Sequence, residues 1–480
     1  MPKYETVIGL EVHVQLSTNS KIFCSCTAKY GLPPNSATCP VCLGLPGVLP
    51  VLNDKVFRFA IMTALALDCK IRDVIKFDRK NYYYPDLPKN YQISQFDKPL
   101  AFDGSIAVEQ NGEAKTIRIK RVHLEEDAGK LMHDAGKGVS YMDFNRTGVP
   151  LMEIVSEPDI RSPEEASIYL QDLKAILLYL KVSDCNMEEG SLRCDANISM
   201  RQAGEEGLGT KAELKNMNSF KAVRDALSYE AKRQIDILEK GGRVAQETRL
   251  WDEQGAVTAS MRSKEESHDY RYFPEPDLAA FTVSKSEIEA IRSSLPELPK
   301  AKRKRFMDCY ALSPYDADLL SRDMEIARFF EEAVKLCNKP KETANWILGA
   351  VTNMLKEKRI TIKEARFKPA HLGELVELIA TEEISGKMGK KILRDAFDTG
   401  SSPVELVRRG DLRQIKDNGE LASVIESVLA ENRRSACDYA NGKKNAIMFL
   451  VGQVMKKTGG KANPGKVNEL LKRRLEETGN

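Results

Sequence analysis

The sequence predicts an α+β protein. A mostly antiparallel β-sheet cradle with a few helices comes first, and two all-α domains follow. Three observations carry this. Several N-terminal segments alternate apolar and polar residues with a period of two. Helical spacing replaces that alternation after about residue 293. Two breaks, SSLPELPKAKRKRF (293–306) and Gly400-Ser401-Ser402-Pro403, divide the chain into 1–292, 293–403 and 404–480.

The first strand places Leu10, Val12, Val14 and Leu16 on one face and Glu11, His13 and Gln15 on the other. Leu192, Cys194, Ala196, Ile198 and Met200 likewise oppose Arg193, Asp195, Asn197, Ser199 and Arg201. In TKAELKN, Lys211, Glu213 and Lys215 share a face. Such alternation suits antiparallel strands with one open face, here carrying mixed charge. A helix is expected from the capping box Ser162-Pro163-Glu164-Glu165, and another from Ser219 to Lys240, ended by Gly241-Gly242. The 293–306 stretch reads as a linker or an exposed helix start, and TANWILGAVTNMLKE and HLGELVELIATEE as helices.

The composition, 42% hydrophobic and 30% charged over 480 residues, fits a soluble globular enzyme. With no apolar run of about 18 residues and no signal-peptide core, a cytoplasmic protein without a membrane contact is expected. The net charge of +3 excludes little, but its distribution is uneven. Between Arg433 and Arg474 stand eleven Lys/Arg against two acids, a footprint for phosphates or else a solvated helical face.

Cys24, Cys26, Cys39 and Cys42 form C-x-C-x12-C-x2-C, two close pairs that can meet as a closed tetrahedral thiolate site. Zinc suits soft sulfur ligands, and a shell of four thiolates leaves no water to activate, so its role would be structural. The alternative is four unrelated buried thiols. Glu11 and His13 share a strand face, Glu125 stands in RVHLEEDAGKLMH, and Glu153 ends the D-x-N-R-x-G-x-P-L-x-E run within YMDFNRTGVPLMEIV. Carboxylates with one imidazole suit Mg²⁺; an exposed strand face is the alternative for Glu11 and His13. His123 and His133 read as surface or internally satisfied residues. In RKNYYYPDLPKNYQISQ (79–95), aromatics interleave with Arg79, Lys80 and Lys89, which suits contact with a nucleotide or an RNA end, or an ordered loop over a sheet. SHDYRYFPEPDL (267–278) reads similarly. No G-x-x-x-x-G-K-[ST] occurs, so the residues by themselves do not name ATP, and if ATP binds it does so without that loop.

The run D-x-N-R-x-G-x-P-L-x-E at 143–153 answers to no need of a hydrophobic core. With YETVIGLEVHVQL, CPVCLGLPGVLPVLN, VHLEEDAGKL, SLRCDANIS, KAELKNMNSF, DYRYFPEPDL and the basic tail, it resembles the B subunit of the aspartyl/glutamyl-tRNA(Asn/Gln) amidotransferase over essentially the whole chain. The resemblance implies an ATP-dependent ligase that phosphorylates the side-chain carboxylate of Glu-tRNA(Gln) or Asp-tRNA(Asn). Ammonia would then arrive from a glutaminase A subunit, with a small C subunit joining the two. It implies Mg²⁺ at Glu11, His13, Glu125 and Glu153, and a second metal or substrate contact at Asp195 and Glu213. Asn145 and Arg146 would position phosphate or the tRNA 3′ end, and Lys80 and Glu125 would stand where ammonia arrives. The four cysteines match knuckles found in only some members of the family, and the tail matches a domain that contacts tRNA. Two rival readings are a non-catalytic zinc-containing RNA-binding module and an ATP-dependent ligase acting on a small molecule. Clustered acids argue against the first and the basic tail against the second.

Overall fold

A computed structural model describes residues 3–110, 112–134, 136–261, 270–410, 418–441, 443–459 and 461–478. Contacts divide the chain into two compact units, Met1–Pro299 and Lys300–Asn480.

The first unit carries the described strands β1 (Tyr4–Gln15), β2 (Lys70–Ile71), β3 (Asp78–Asn81), β4 (Tyr91–Ser94), β5 (Ala101–Gln110), β6 (Glu113–Glu126), β7 (Lys130–Asp134), β8 (Val139–Asp143), β9 (Pro150–Ser156), β10 (Leu192–Gln202), β11 (Ala212–Lys215), β12 (Glu247–Asp252), β13 (Val257–Ser260) and β14 (Phe273–Pro274). Nine form one sheet in the order β13-β12-β11-β10-β1-β9-β6-β5-β2. Every neighbouring pair is antiparallel except β11–β12. β14, β3 and β4 make a second sheet, and β7 with β8 a hairpin.

The expected alternation decides which face of the large sheet is covered. Leu10, Val12, Val14, Met152, Ile154, Val122, Leu124, Cys194, Ala196 and Ile198 are buried in one hydrophobic core. Helices Pro163–Tyr179 and Phe220–Glu239 pack on β5 and β10 and contribute Tyr169, Leu170, Leu173, Val223 and Leu227 to that core. Both helices begin where expected. Ser162 and Ser219 cap them by accepting hydrogen bonds from the amides of Glu165 and Ala222. Only half of the expected capping box forms at Ser162, because the Glu165 carboxylate takes the amide of Arg161 instead. The opposite face is left for polar side chains.

In the second unit the basic stretch resolves as a helix, Pro299–Tyr310, anchored by fully buried Phe306. The TANWILGAVTNMLKE segment is helical but not uniformly so: a π turn at Ile347–Val351 joins Pro340–Trp346 to Thr352–Lys358. Two separate hydrophobic clusters form, one from Phe306 to Val407 and one from Leu421 to Leu475. Among the described residues no helix is long and apolar enough to cross a membrane.

Candidate active site and metal centre

The polar face of the large sheet converges on Glu153. In register, Glu153 of β9 stands opposite His13 of β1 on one side and His123 of β6 on the other. His13 Nε2 lies 3.2 Å from Glu153 and 3.4 Å from Glu125. His13, Glu125 and Glu153 each offer a ligand atom within 4.8 Å of the others. Glu11, two residues along β1, couples electrostatically to Glu153 and faces Asp195 of β10.

The electrostatics show the strain of gathering these charges. Burial and then repulsion by Glu153 push the Glu11 carboxyl up to about 7. Burial opposes the charge of His13, yet hydrogen bonds to Glu125 and Glu153 raise it to about 10. Burial also works against Glu153, but His123 and His13 bring it down to about 2. Glu125 is likewise buried, and the neighbouring imidazoles of His123 and His13 hold it well below the ordinary range. A divalent cation would relieve the Glu11–Glu153 repulsion directly, and the imidazole–carboxylate donor set fits Mg²⁺.

His123, read from the sequence as a surface or internally satisfied residue, lies against this cluster. It is buried, with Nε2 3.5 Å from Glu153 and 3.8 Å from Glu125. Arg121 donates to its Nδ1 at 3.4 Å, which places the imidazole proton on Nε2, toward the carboxylates. Arg121 also reaches Glu153 at 3.2 Å. The available signal was the i, i+2 spacing of Arg121, His123 and Glu125 on one strand. His133 is exposed and bonds to Ser140.

The second sheet brings Lys80 and Ser94 to Glu125. Ser94 donates to Glu125 at 3.3 Å. The Lys80 ammonium sits over the rings of Tyr270 and Tyr82, at 4.7 and 5.7 Å. Burial opposes its charge, but Glu125 holds it above the usual lysine range. Phe96 stacks on Tyr272 at 4.1 Å nearby. Ser267–Asp269 of the second aromatic run lie outside the described residues.

Other expected site residues have different partners. Arg79 forks onto Glu275 at 2.7 and 2.8 Å and lies over Tyr91. Lys89 pairs with buried Glu126, which also accepts the Ile93 amide. Asp195 and Glu213 share Lys215, at 2.6 and 3.1 Å. Asn145 accepts the Ala37 amide and donates to the Pro33 carbonyl. Arg146 binds the carbonyls of Ala128 and Gly129. Asn145 and Arg146 thus bind loop backbone from the turn that the sequence assigns to phosphate or tRNA contacts.

The sulfurs of Cys24, Cys26, Cys39 and Cys42 all fall within 4.8 Å of one another and form no disulfide. Tetrahedral zinc with bonds of about 2.3 Å sets sulfur separations of about 3.8 Å, so the cluster could hold a metal. A hydrogen bond from Cys24 lowers the Cys42 thiol to about 4 against the effect of burial, with the Cys39 amide (3.1 Å) and Lys21 assisting. Beside it lies a cavity of about 180 Å³ lined in part by Cys24, Cys42, Gly44, Lys89 and Glu126. Gly44 has φ +69°, and a Cβ there would sit 2.2 Å from the Lys89 chain, so a glycine lets Lys89 reach Glu126. Glu126, which the sequence did not single out, faces this cavity while its neighbour Glu125 faces the histidines.

Residues 6–289 match the family described as the GatB/GatE catalytic domain, and residues 328–475 match the GatB domain. The chain belongs to the GatB family. It is 55% identical over 478 residues to the B subunit of the aspartyl/glutamyl-tRNA(Asn/Gln) amidotransferase of Carboxydothermus hydrogenoformans, covering 99% of both chains. It is 53% identical to the corresponding protein of Brevibacillus brevis, over 98% of both chains. With that of Moorella thermoacetica the identity is 54%, over 98% of this chain and all of the relative. The matched catalytic region contains the whole histidine–carboxylate cluster and the four cysteines. The matched GatB domain contains the basic tail.

Proposed function

We propose that this chain is the part of a tRNA-dependent amidotransferase that activates the side-chain carboxylate of Glu or Asp esterified to tRNA and amidates it. The carrying observation is the convergence of His13, Glu125 and Glu153 on the polar face of the large sheet in a GatB-family chain. A carboxylate is a poor acceptor for ammonia because its leaving group would be oxide. Phosphorylation makes the leaving group phosphate.

Glu11, His13, Glu125 and Glu153 would hold Mg²⁺, which when bound supplies positive charge against the anionic groups of phosphoryl transfer. Arg121 and His123 hold Glu153, while Ser94 holds Glu125. Lys80, the cation over Tyr82 and Tyr270, faces the anionic cluster from the second sheet and is suited to binding phosphate or the substrate carboxylate. Asp195, Glu213 and Lys215 continue the polar face toward the substrate. Arg79, Lys89, Asn145 and Arg146 brace the loops around the site through their own bonds.

Zinc at the four cysteines would serve the fold. Residues 1–292 form the catalytic cradle, 293–403 a helical domain, and 404–480 a tail that binds tRNA through its positive excess. The chain works in the cytoplasm with a glutaminase A subunit that supplies ammonia and a small C subunit that joins the two. The test is ATP hydrolysis by the assembled complex. Stimulation by Glu-tRNA or Asp-tRNA, with none by uncharged tRNA, is expected, and no stimulation by misacylated tRNA would end this reading.

A further inference from the structure

We propose that Lys21 is the counter-charge of the four-cysteine centre and ties it to the 142–146 turn. This rests on the reading that the cysteines hold a metal.

The Lys21 side chain is fully buried. Its ammonium lies 2.8 Å from the Ala37 carbonyl, 3.5 Å from the Phe144 carbonyl and 3.6 Å from Cys42 Sγ. Among the described residues no carboxylate pairs with it. A buried cation satisfied by neutral carbonyls alone is costly, so its compensating charge must come from sulfur. Four thiolates around a divalent metal carry a net charge of −2, which a neighbouring ammonium offsets.

The same side chain joins three pieces of chain: the short helix Pro40–Leu43 bearing Cys42, the loop between Cys26 and Cys39, and the turn before β9. That loop and turn are also strapped directly. Asn35 donates its amide to Asp143 and its side chain to the Met142 carbonyl, and accepts from the Phe144 amide, at 2.8–2.9 Å. Asn145 adds bonds to Ala37 (2.7 Å) and Pro33 (2.6 Å). Metal, loop and turn are therefore one unit. The D-x-N part of the signature is the strap that holds a metal loop onto the strand bearing Glu153.

The test uses the full chain loaded with zinc alone. Zinc stoichiometry, the rate of zinc transfer to a coloured chelator, and amide exchange at Ala37 and Phe144 are measured in wild type and Lys21→Met. Wild type should hold one zinc per chain. Lys21→Met should release it at least about tenfold faster, the usual effect of losing an outer-shell partner. Stripping zinc from wild type should speed exchange at Ala37 and Phe144 but not within β10. Should Lys21→Met fail to fold, the wild-type stripping experiment decides, and unchanged exchange at both amides overturns the tether. A variant that holds zinc as tightly as wild type overturns the tether and leaves the metal reading standing. A wild-type chain that takes up no zinc overturns both.

Discussion

His13 and Glu153 stand directly opposite each other across the β1–β9 pair, with Nε2 3.2 Å from the carboxylate. Register alone makes this contact, and register on the other edge of β9 brings His123 to the same carboxylate. A slip of β9 by one residue would turn Glu153 toward the hydrophobic core and away from both histidines.

Glu125→Gln keeps the shape of the side chain and removes its charge. Amidation of Glu-tRNA should fall at least about a thousandfold, as expected when a metal ligand in phosphoryl transfer is lost. The dissociation constant for tRNA should stay within about twofold, because phosphate affinity is assigned to the basic tail. Filter binding and a single-turnover product assay separate the two quantities, and normal product formation would remove Glu125 from the site.

Glu11→Gln should stabilise the metal-free chain at pH 8 and leave it unchanged at pH 4. The Glu11 carboxyl is raised from 4.5 to about 7 by burial and by Glu153. Its folded value lies above its unfolded value, so the favourable contribution of the protonated form is complete below about pH 4.5. That contribution is lost as pH rises through 7. The gain at pH 8 should be of order 3 kcal/mol, from about 1.4 kcal/mol per unit. Urea unfolding at the two pH values checks the sign, and saturating Mg²⁺ should abolish the gain by relieving the same repulsion.

Asn145→Ala should act on the loop and leave tRNA affinity alone. It removes an acceptor from the Ala37 amide and a donor from the Pro33 carbonyl. Stability should fall by about 1–3 kcal/mol, with faster proteolysis between Cys26 and Cys39. A large rise in the tRNA dissociation constant with unchanged loop protection would return Asn145 to the substrate.

Lys89→Met should destabilise by about 3–5 kcal/mol, since it leaves Glu126 buried without its cation. Adding Glu126→Gln should recover most of that loss. A double variant as unstable as the single one would show that the pair is not the source.

Deleting residues 411–480 removes the Leu421–Leu475 cluster and leaves the Phe306–Val407 cluster intact. Binding of tRNA should weaken at fixed salt, and the slope of log affinity against log salt should flatten, because phosphate contacts are lost. An unchanged slope would clear the tail of that role.

The period-two alternation of β1 and β10, the cysteine spacing and the serine helix caps were legible because each is a local pattern whose geometry follows from chain stereochemistry. The family resemblance was legible because its motifs are long. His123 and Glu126 were not, since a histidine or a second carboxylate becomes informative only once a neighbouring strand supplies its partner. The polar character of Asn145 and Arg146 was legible, but not their bonds to a loop more than a hundred residues away and to a neighbouring strand end. The sequence by itself determined the fold class, the polar face of the sheet and the residues that supply charge. Tertiary structure decided which charges meet and which are already spent, because cross-strand register and long-range loop contacts set distances that linear spacing does not contain.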